Sequence, residues 1–156
     1  MDCRERVQQY LQDENVNYEM FTHPEVYTIQ ELAATLHVPG RQVAKVVMVK
    51  ADQKLVMVVV PAPYRVNLER IQTHLGSNVV ELAKESDFSS LFPDCLPGAM
   101  PPLGNLYRMT VYVDEVLAAQ THVVFRVGTH RHSIKIPYAD LSRLVQPVVG
   151  QFAWQF

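Results

Sequence analysis

Three short stretches carry the residues that could do chemistry. The first is VAKVVMVK, residues 43–50, in which six of eight residues are apolar and Lys45 stands in the middle. Side chains alternate along a strand, so Lys45 would share one face with Val43, Val47 and Val49, and Val46 the other with Ala44, Met48 and Lys50. Lys50 ends the run and can reach water; Lys45 cannot do so as easily. An unpaired ammonium in such surroundings must neutralise or find a partner. Either its stem snorkels to water or to one of the 16 carboxylates, or it faces a cleft and meets a substrate.

The second stretch is GAMPPLG, residues 98–104. Gly98 and Gly104 allow tight turning and close approach, while Pro101 and Pro102 fix φ and remove two N–H groups. Such a loop presents its remaining main-chain groups in a fixed pattern, which suits a small polar ligand. It also fits an ordinary surface connection. The third stretch is VGTHRHS, residues 127–133, where Gly128 and Thr129 make a turn and His130 follows. A histidine at a strand end can donate hydrogen bonds or move protons. His130 and His132 alone do not make a metal site, because no cluster at ligand spacing supplies the other ligands. No metal and no cofactor is expected. His74 and His122 read as exposed helix and turn residues, and His23, before Pro24, as structural.

No covalent nucleophile stands out. The chain has no G-x-S-x-G elbow, no Walker loop and no dinucleotide fingerprint. Cys95 carries no mark of an activated thiol, and Ser89 and Ser90 read as helix surface. An enzyme built from these parts works by positioning, electrostatics and water.

The elements that must hold these stretches follow from pattern. Residues 2–16 read as a helix with Val7, Tyr10 and Leu11 on one face and Asp2 as cap. Thr28 and Glu31 form a capping box for a second helix striped with Ile29, Leu32, Ala33 and Leu36. PGR at 39–41 breaks it. Runs 43–50 and 54–61 form a hairpin through ADQK. Asn67 caps a helix through Leu75, with Gly76 at its C′ position. NVVEL is a strand, ESDFSSLF a short helix, and 93–105 a long loop. LYRMTVYVD, THVVFRVG and HSIKIP are three strands, and YADLSRLV is the last helix. The sum is about four helices and six or seven strands. The expected fold class is α/β of the α+β type, with a mixed, mostly antiparallel β-sheet flanked by helices. A doubly wound fold is not expected.

At 156 residues the chain fits one domain, 1–156, by the usual range of roughly 100–200 residues. Apolar residues make up 48% and the net charge is −2, which excludes a disordered chain and the basic stripe of a tight nucleic-acid binder. Arg41, Lys50, Arg65, Arg70, Arg108, Arg126 and Arg131 form either a modest phosphate-binding patch or solvated faces. Cys3 and Cys95 are expected as free thiols in a reducing compartment. The N-terminus lacks an apolar signal region, and the longest apolar run, 55–63, is too short to span a bilayer. The expected location is cytoplasmic.

THPEVYTIQELA (22–33), VPGRQVAKVVMVK (38–50), VVELAKE (79–85), GAMPPLG (98–104), FRVGTHRHSI (125–134) and YADLSRLVQP (138–147) occur in one order. That ordered set resembles the YbaK/ProX aminoacyl-tRNA deacylases, the prolyl-tRNA synthetase-associated editing domain. The resemblance implies a trans-editing hydrolase that deacylates mischarged aminoacyl-tRNA, with tRNA(Pro) carrying a small wrong amino acid as the foremost substrate. It implies that Lys45 is the functional lysine. It implies that Gly98, Ala99, Met100, Pro101 and Pro102 hold the 3′-terminal adenosine and aminoacyl group, and that Gly128, Thr129 and His130 line the same pocket. Tyr27 falls in the first motif and belongs with the substrate-binding set. The implied chemistry is water attack on the ester, helped by the terminal ribose hydroxyl. The implied partners are the 3′-CCA end and acceptor stem of the tRNA, with a synthetase as a further partner. Val46 follows the lysine where several relatives carry a polar residue that helps set the amino acid accepted. Two alternatives remain open: a non-catalytic module holding a tRNA end, nucleotide or synthetase, and a hydrolase of other small aminoacyl esters.

Overall fold

The structure is a computed structural model and describes residues 1–155. Helix α1 (Cys3–Asp13) opens the chain. Asp2 caps it, accepting from the Glu5 N–H at 2.8 Å, while the Glu5 carboxylate reaches back to the Asp2 N–H at 3.4 Å. After β1 (Glu19–Thr22), helix α2 (Ile29–Leu36) begins at Thr28, whose hydroxyl oxygen accepts from the Glu31 N–H at 3.1 Å. A 3-10 turn at Gly40–Gln42 leads into β2 (Ala44–Ala51) and β3 (Lys54–Pro61), the expected hairpin. Asp52 and Gln53 both take positive φ, the geometry a two-residue hairpin turn of right-handed twist requires. Neither is glycine or asparagine. The Asp52 carboxylate accepts from the Asn78 and Val79 N–H groups, which holds the turn.

The chain continues through β4 (Tyr64–Val66), α3 (Leu68–Leu75), β5 (Val80–Leu82) and the single-turn α4 (Glu85–Phe88). Asn67 caps α3 by accepting from the Arg70 N–H at 3.2 Å, and Gly76 closes it at φ 67°, both as expected. Beyond the 93–105 loop come β6 (Val111–Asp114), α5 (Glu115–Ala118), β7 (His122–Arg126), β8 (His132–Pro137), α6 (Tyr138–Val145), β9 (Val148–Gly150) and β10 (Ala153–Gln155).

The described residues thus form more elements than pattern alone indicates. Residues 106–110 are not strand: Gly104–Tyr107 form a 3-10 turn and Arg108 sits at φ 57°, so β6 starts only at Val111. Helix α5 was not expected. Asp114 caps it through the Val116 N–H at 3.0 Å, but four residues are too few to show a period. Strands β4, β9 and β10 are three residues each and equally silent.

Five strands pair in the order β5-β2-β3-β6-β9, three as β1-β8-β7, and β10 with β4. Pairing is mostly antiparallel; β3–β6 and β6–β9 are parallel. This is the mixed, mostly antiparallel sheet flanked by helices that the sequence led us to expect. A single parallel bridge, Val43 to Val124, joins the five-stranded and three-stranded sheets. Strand β3 is apolar on both faces because both are covered. Met57 and Val59 enter a large core with Leu11, Phe125 and Leu141, while Val56, Val58 and Val60 enter another with Ile71 and Phe152. A smaller core gathers Val26, Leu32, Val43 and Val124 under α2. Each such side chain contributes about 1.5–3 kcal/mol when fully buried.

Candidate functional site

Strand β2 divides its side chains between these cores. Ala44, Val46 and Met48 face the large core with α1 and the 98–104 loop. On the other face Val43 belongs to the core under α2 and Val49 to the core under α3. Lys45 lies between them, on the seam where neither core closes over the strand. That seam is why a half-buried ammonium is tolerated in an apolar strand. Its Nζ donates to the Tyr64 carbonyl, and burial lowers its pKa below that of an ordinary lysine.

The outer edge of β2, away from β3, is interrupted. β7 touches it only at Val43, and β5 pairs only from Val49 to Ala51. The Met48 carbonyl on that edge accepts from the Ala83 N–H. Alternation then turns the Val46 main-chain N–H and C=O to the same edge. Among the described residues no strand pairs with that edge between Lys45 and Val47. Residues two beyond a parallel bridge share a face, so Lys45 and Arg126 project to the same side where β2 and β7 part.

Arg126 is the site residue that sequence reasoning misplaced. It stood among the candidate surface cations, yet it is 4% exposed. Its Nη2 donates to the Val26 carbonyl at 2.6 Å and the Thr28 carbonyl at 3.1 Å, and Nη1 to the Gly98 carbonyl at 3.4 Å. Its Nε is buried without a hydrogen-bond partner. One buried guanidinium therefore ties the segment before α2 to the 98–104 loop, and both to β7. No single feature of FRVG distinguishes this role; it appears only when three distant carbonyls converge. Of the other candidate cations, Lys50 pairs with Asp87 at 3.3 Å, Arg131 with Glu25 at 3.7 Å, and Arg65 stacks on Trp154.

The 98–104 loop abuts the GTH turn. The Gly128 N–H donates to the Ala99 carbonyl at 2.8 Å and the Leu96 N–H to the Gly128 carbonyl at 2.9 Å. A side chain on Gly98 would meet the His130 ring at 3.5 Å. Within the loop Ala99, Met100, Pro101 and Pro102 are buried and only Gly98 is exposed. Met100 and Leu103 belong to the large core, and Ala99 is fully buried.

His130 lies against Tyr27, ring centroids 5.0 Å apart, and Tyr27 is 65% exposed. The His130 Nδ1 is buried without a partner. Burial first, then the Arg126 charge, pull the His130 pKa below the ordinary histidine range, against the opposing pull of a Pro97 backbone hydrogen bond. The ring is therefore neutral near pH 7. His132 points elsewhere: its ring nitrogens meet Arg4 Nη1 at 2.9 Å and Thr129 Oγ1 at 2.6 Å. His23 is buried and meets Ser133 Oγ at 3.0 Å, the structural role expected of it. Of the expected site residues, Tyr27 and Gly98 each stand against His130, Gly128 bonds the loop through Ala99, and the Thr129 hydroxyl turns to His132. Lys45 joins them through its shared face with Arg126, and Val46 sits on the opposite face. A surface cavity of about 610 Å³, lined by Asn67, Arg70, His74, Gln151, Phe152 and Trp154, contains none of these residues.

The split strand edge, with Lys45 and Arg126 on one face and the Pro/Gly loop tied to Arg126 through the Gly98 carbonyl, is the candidate cleft. The sequence profile of the aminoacyl-tRNA editing domain matches residues 23–144, and the chain belongs to that family. It is 30% identical over 132 residues to the proline--tRNA ligase of Leuconostoc citreum, covering 83% of this chain and 23% of the ligase. It is 32% identical over 112 residues to that of Bacillus subtilis, covering 72% and 20%. The chain thus spans about a quarter or less of these relatives. Two solved structures share the fold at 20% identity. Hypothetical protein APE2540 has a TM-score of 0.85 over 96% of this chain and 99% of its own. A protein described as a candidate trans-editing enzyme for prolyl tRNA synthetase has a TM-score of 0.83 over 96% of each. Among the described residues no helix is long and apolar enough to cross a membrane.

Proposed function

We propose that this chain is a cytoplasmic aminoacyl-tRNA deacylase, one editing domain over residues 1–156, which hydrolyses the ester of a mischarged tRNA in trans. The foremost substrate is tRNA(Pro) bearing a small wrong amino acid. The observation that carries the reading is the parting of β2 from β7 where Lys45 and Arg126 share a face. There the family's editing chemistry has cations, open main-chain groups and no nucleophile to compete with water. The 3′ end enters beside Gly98, Gly128 and Thr129, with the terminal adenine over the exposed Tyr27 ring. Lys45 exchanges the neutral Tyr64 carbonyl for a charged phosphate or the developing oxyanion, which attracts an ammonium more strongly. Main-chain groups of 98–102 hold the ester. Water attacks the carbonyl carbon, the bond from that carbon to the ribose oxygen breaks, and the ribose oxygen leaves as a hydroxyl carrying a proton of the water. Neutral His130, against Tyr27 and Gly98, orients the water or the substrate amine. The amino-acid side chain crosses the open edge toward Val46, whose apolar surface sets what fits. A methylene there is worth only ~1–3 kcal/mol, so a few contacts decide the substrate.

The test is a panel of tRNA(Pro) charged with Ala, Cys, Ser or Thr, incubated with protein, with Lys45→Ala, and with buffer. Fast loss of one ester with the protein alone is the expected result. Equal loss with both proteins makes Lys45 structural. Loss above buffer with neither supports the non-catalytic tRNA-end or synthetase-binding module instead.

A further inference from the structure

Away from the cleft, two elements distant in sequence bring sulfur to sulfur. Cys3, at the start of α1, and Cys95, in the loop before Gly98, have Sγ atoms 2.9 Å apart. Cys3 is fully buried and Cys95 partly exposed. Tyr107 Oη lies 3.3 Å from Cys95 Sγ, and the Asp94 carboxylate 3.7 Å from it. Two small cavities open onto the pair, one of about 140 Å³ beside Cys95 and one of about 100 Å³ beside Cys3. Cys3, Cys95 and Asp94 are the one group of three potential metal ligands among the described residues. The spacing disfavours a metal. Two thiolates on one tetrahedral zinc stand about 3.8 Å apart, given Zn–S bonds near 2.3 Å. Asp94 is also engaged by Arg6 at 3.7 Å and by the Tyr107 hydroxyl at 3.3 Å.

We propose that Cys3 and Cys95 form a thiol-oxidation site, in which a peroxide converts the pair to an intramolecular disulfide that staples α1 to the segment feeding the 98–104 loop. The Cys95 thiolate attacks the peroxide, forming an S–O bond and breaking O–O; hydroxide leaves and takes up a proton as water. Cys3 sulfur then attacks the Cys95 sulfenic acid, forming S–S and breaking S–O. The departing hydroxide takes the Cys3 proton and leaves as a second water. Together the sulfurs lose two electrons and the peroxide gains them, and a thiol reductant reverses the change. The order of attack follows from the surroundings. Cys95 is the more accessible, and hydrogen bonds from Cys3 and Tyr107 outweigh burial and Asp94 to lower its pKa. The Cys3 thiol is pushed up, chiefly by its hydrogen bond with Cys95 and by burial, and so keeps its proton until the second step.

The bond would reach the cleft by contact. A side chain on Gly128 would come within 2.8 Å of Cys3 Cβ, so α1 already presses on the GTH turn. Leu96, next to Cys95, donates to the Gly128 carbonyl, and Gly128 donates to that of Ala99. A disulfide therefore clamps both walls that flank Gly98.

The test treats the whole chain with hydrogen peroxide and reads chemistry rather than editing activity. Thiols counted in denaturant should fall from two to none and return with dithiothreitol. The protein should stay monomeric on a non-reducing gel, digestion should yield the Cys3 peptide joined to the Cys95 peptide, and amide exchange at Leu96, Ala99 and Gly128 should slow. Cys3→Ala should stop at a Cys95 sulfenic acid that dimedone traps, and Cys95→Ser should keep its Cys3 thiol at the same dose. Two surviving thiols at a dose that oxidises a free-thiol standard would overturn the proposal. So would a cross-linked dimer, or over-oxidised Cys95 beside an intact Cys3 thiol. The peptide map of the unaltered chain decides the matter even where a variant fails to fold.

Discussion

Lys45 and Arg126 are two cations with different tasks, and their variants separate them. Lys45→Ala gives up the hydrogen bond to the Tyr64 carbonyl but also removes a half-buried charge, so the melting temperature should stay near that of the parent. Deacylation should fall roughly 10²–10³-fold, the cost of removing one well-placed donor. Burial lowers the Lys45 pKa. The lysine-dependent rate, parent minus variant, should therefore decline on the alkaline side before an ordinary lysine loses its proton near 10.5. A pH–rate profile that holds to that value argues against Lys45 as the working group. Arg126→Met, by contrast, leaves three main-chain carbonyls without their donor and should cost on the order of 3 kcal/mol, read by calorimetry. His130 adds an acid limb. Its pKa in the folded protein lies below the unfolded value of 6.5, so the unfolded chain binds more protons on the acid side. The associated stability is intact above 6.5 and is lost as pH falls toward the folded value. His130→Gln should flatten that part of the stability curve, while His132, also depressed by burial and then by Arg4, leaves a remainder.

At the scale of elements, the cleft depends on two irregular segments gripping each other. Gly128 sits at φ 86° with Cys3 against the place a side chain would occupy, and Gly76 sits at φ 67° with open space around it. Both substitutions to alanine strain the backbone by about 1–3 kcal/mol. Only Gly128→Ala also displaces α1, so it should destabilise more in urea titration and lower deacylation as well. Equal losses for the two variants would mean that the α1 contact is slack. The same comparison bears on the hairpin turn at Asp52–Gln53, where a carboxylate holding two N–H groups replaces the usual glycine.

For the whole molecule, charge is the relevant quantity. With a net charge of −2, and with Lys50 and Arg126 committed inside the protein, few cations remain for phosphates. Each phosphate neutralised on a duplex adds about 0.9 to the slope of log affinity against log salt. We expect weak tRNA binding with a slope of roughly −2 to −4, consistent with contact at the 3′ end and the first acceptor-stem phosphates. Titration of binding across salt concentrations reads this directly. A flat response would favour turnover of small aminoacyl esters without tRNA. The chain spans 23% of its Leuconostoc relative, so a tRNA-binding surface on a separate partner is compatible with a shallow slope.

Local chemistry determined what the sequence could determine. The capped helices at Thr28 and Asn67, the 43–61 hairpin and the mixed sheet were legible because caps, turns and period-two runs act over a few neighbouring residues. Lys45 was legible as an anomaly for the same reason, and the ordered motifs carried the family. Elements of three or four residues, β4, α5, β9 and β10, left no period to read. Tertiary structure alone decided that Lys45 lies on a seam between two cores, that β2 and β7 part after one bridge, and that Arg126 is buried. It alone brought Cys3 beside Cys95, 92 residues away. Those outcomes depend on which faces meet when strands and helices pack, and contacts between residues so far apart leave no mark on the pattern around either of them.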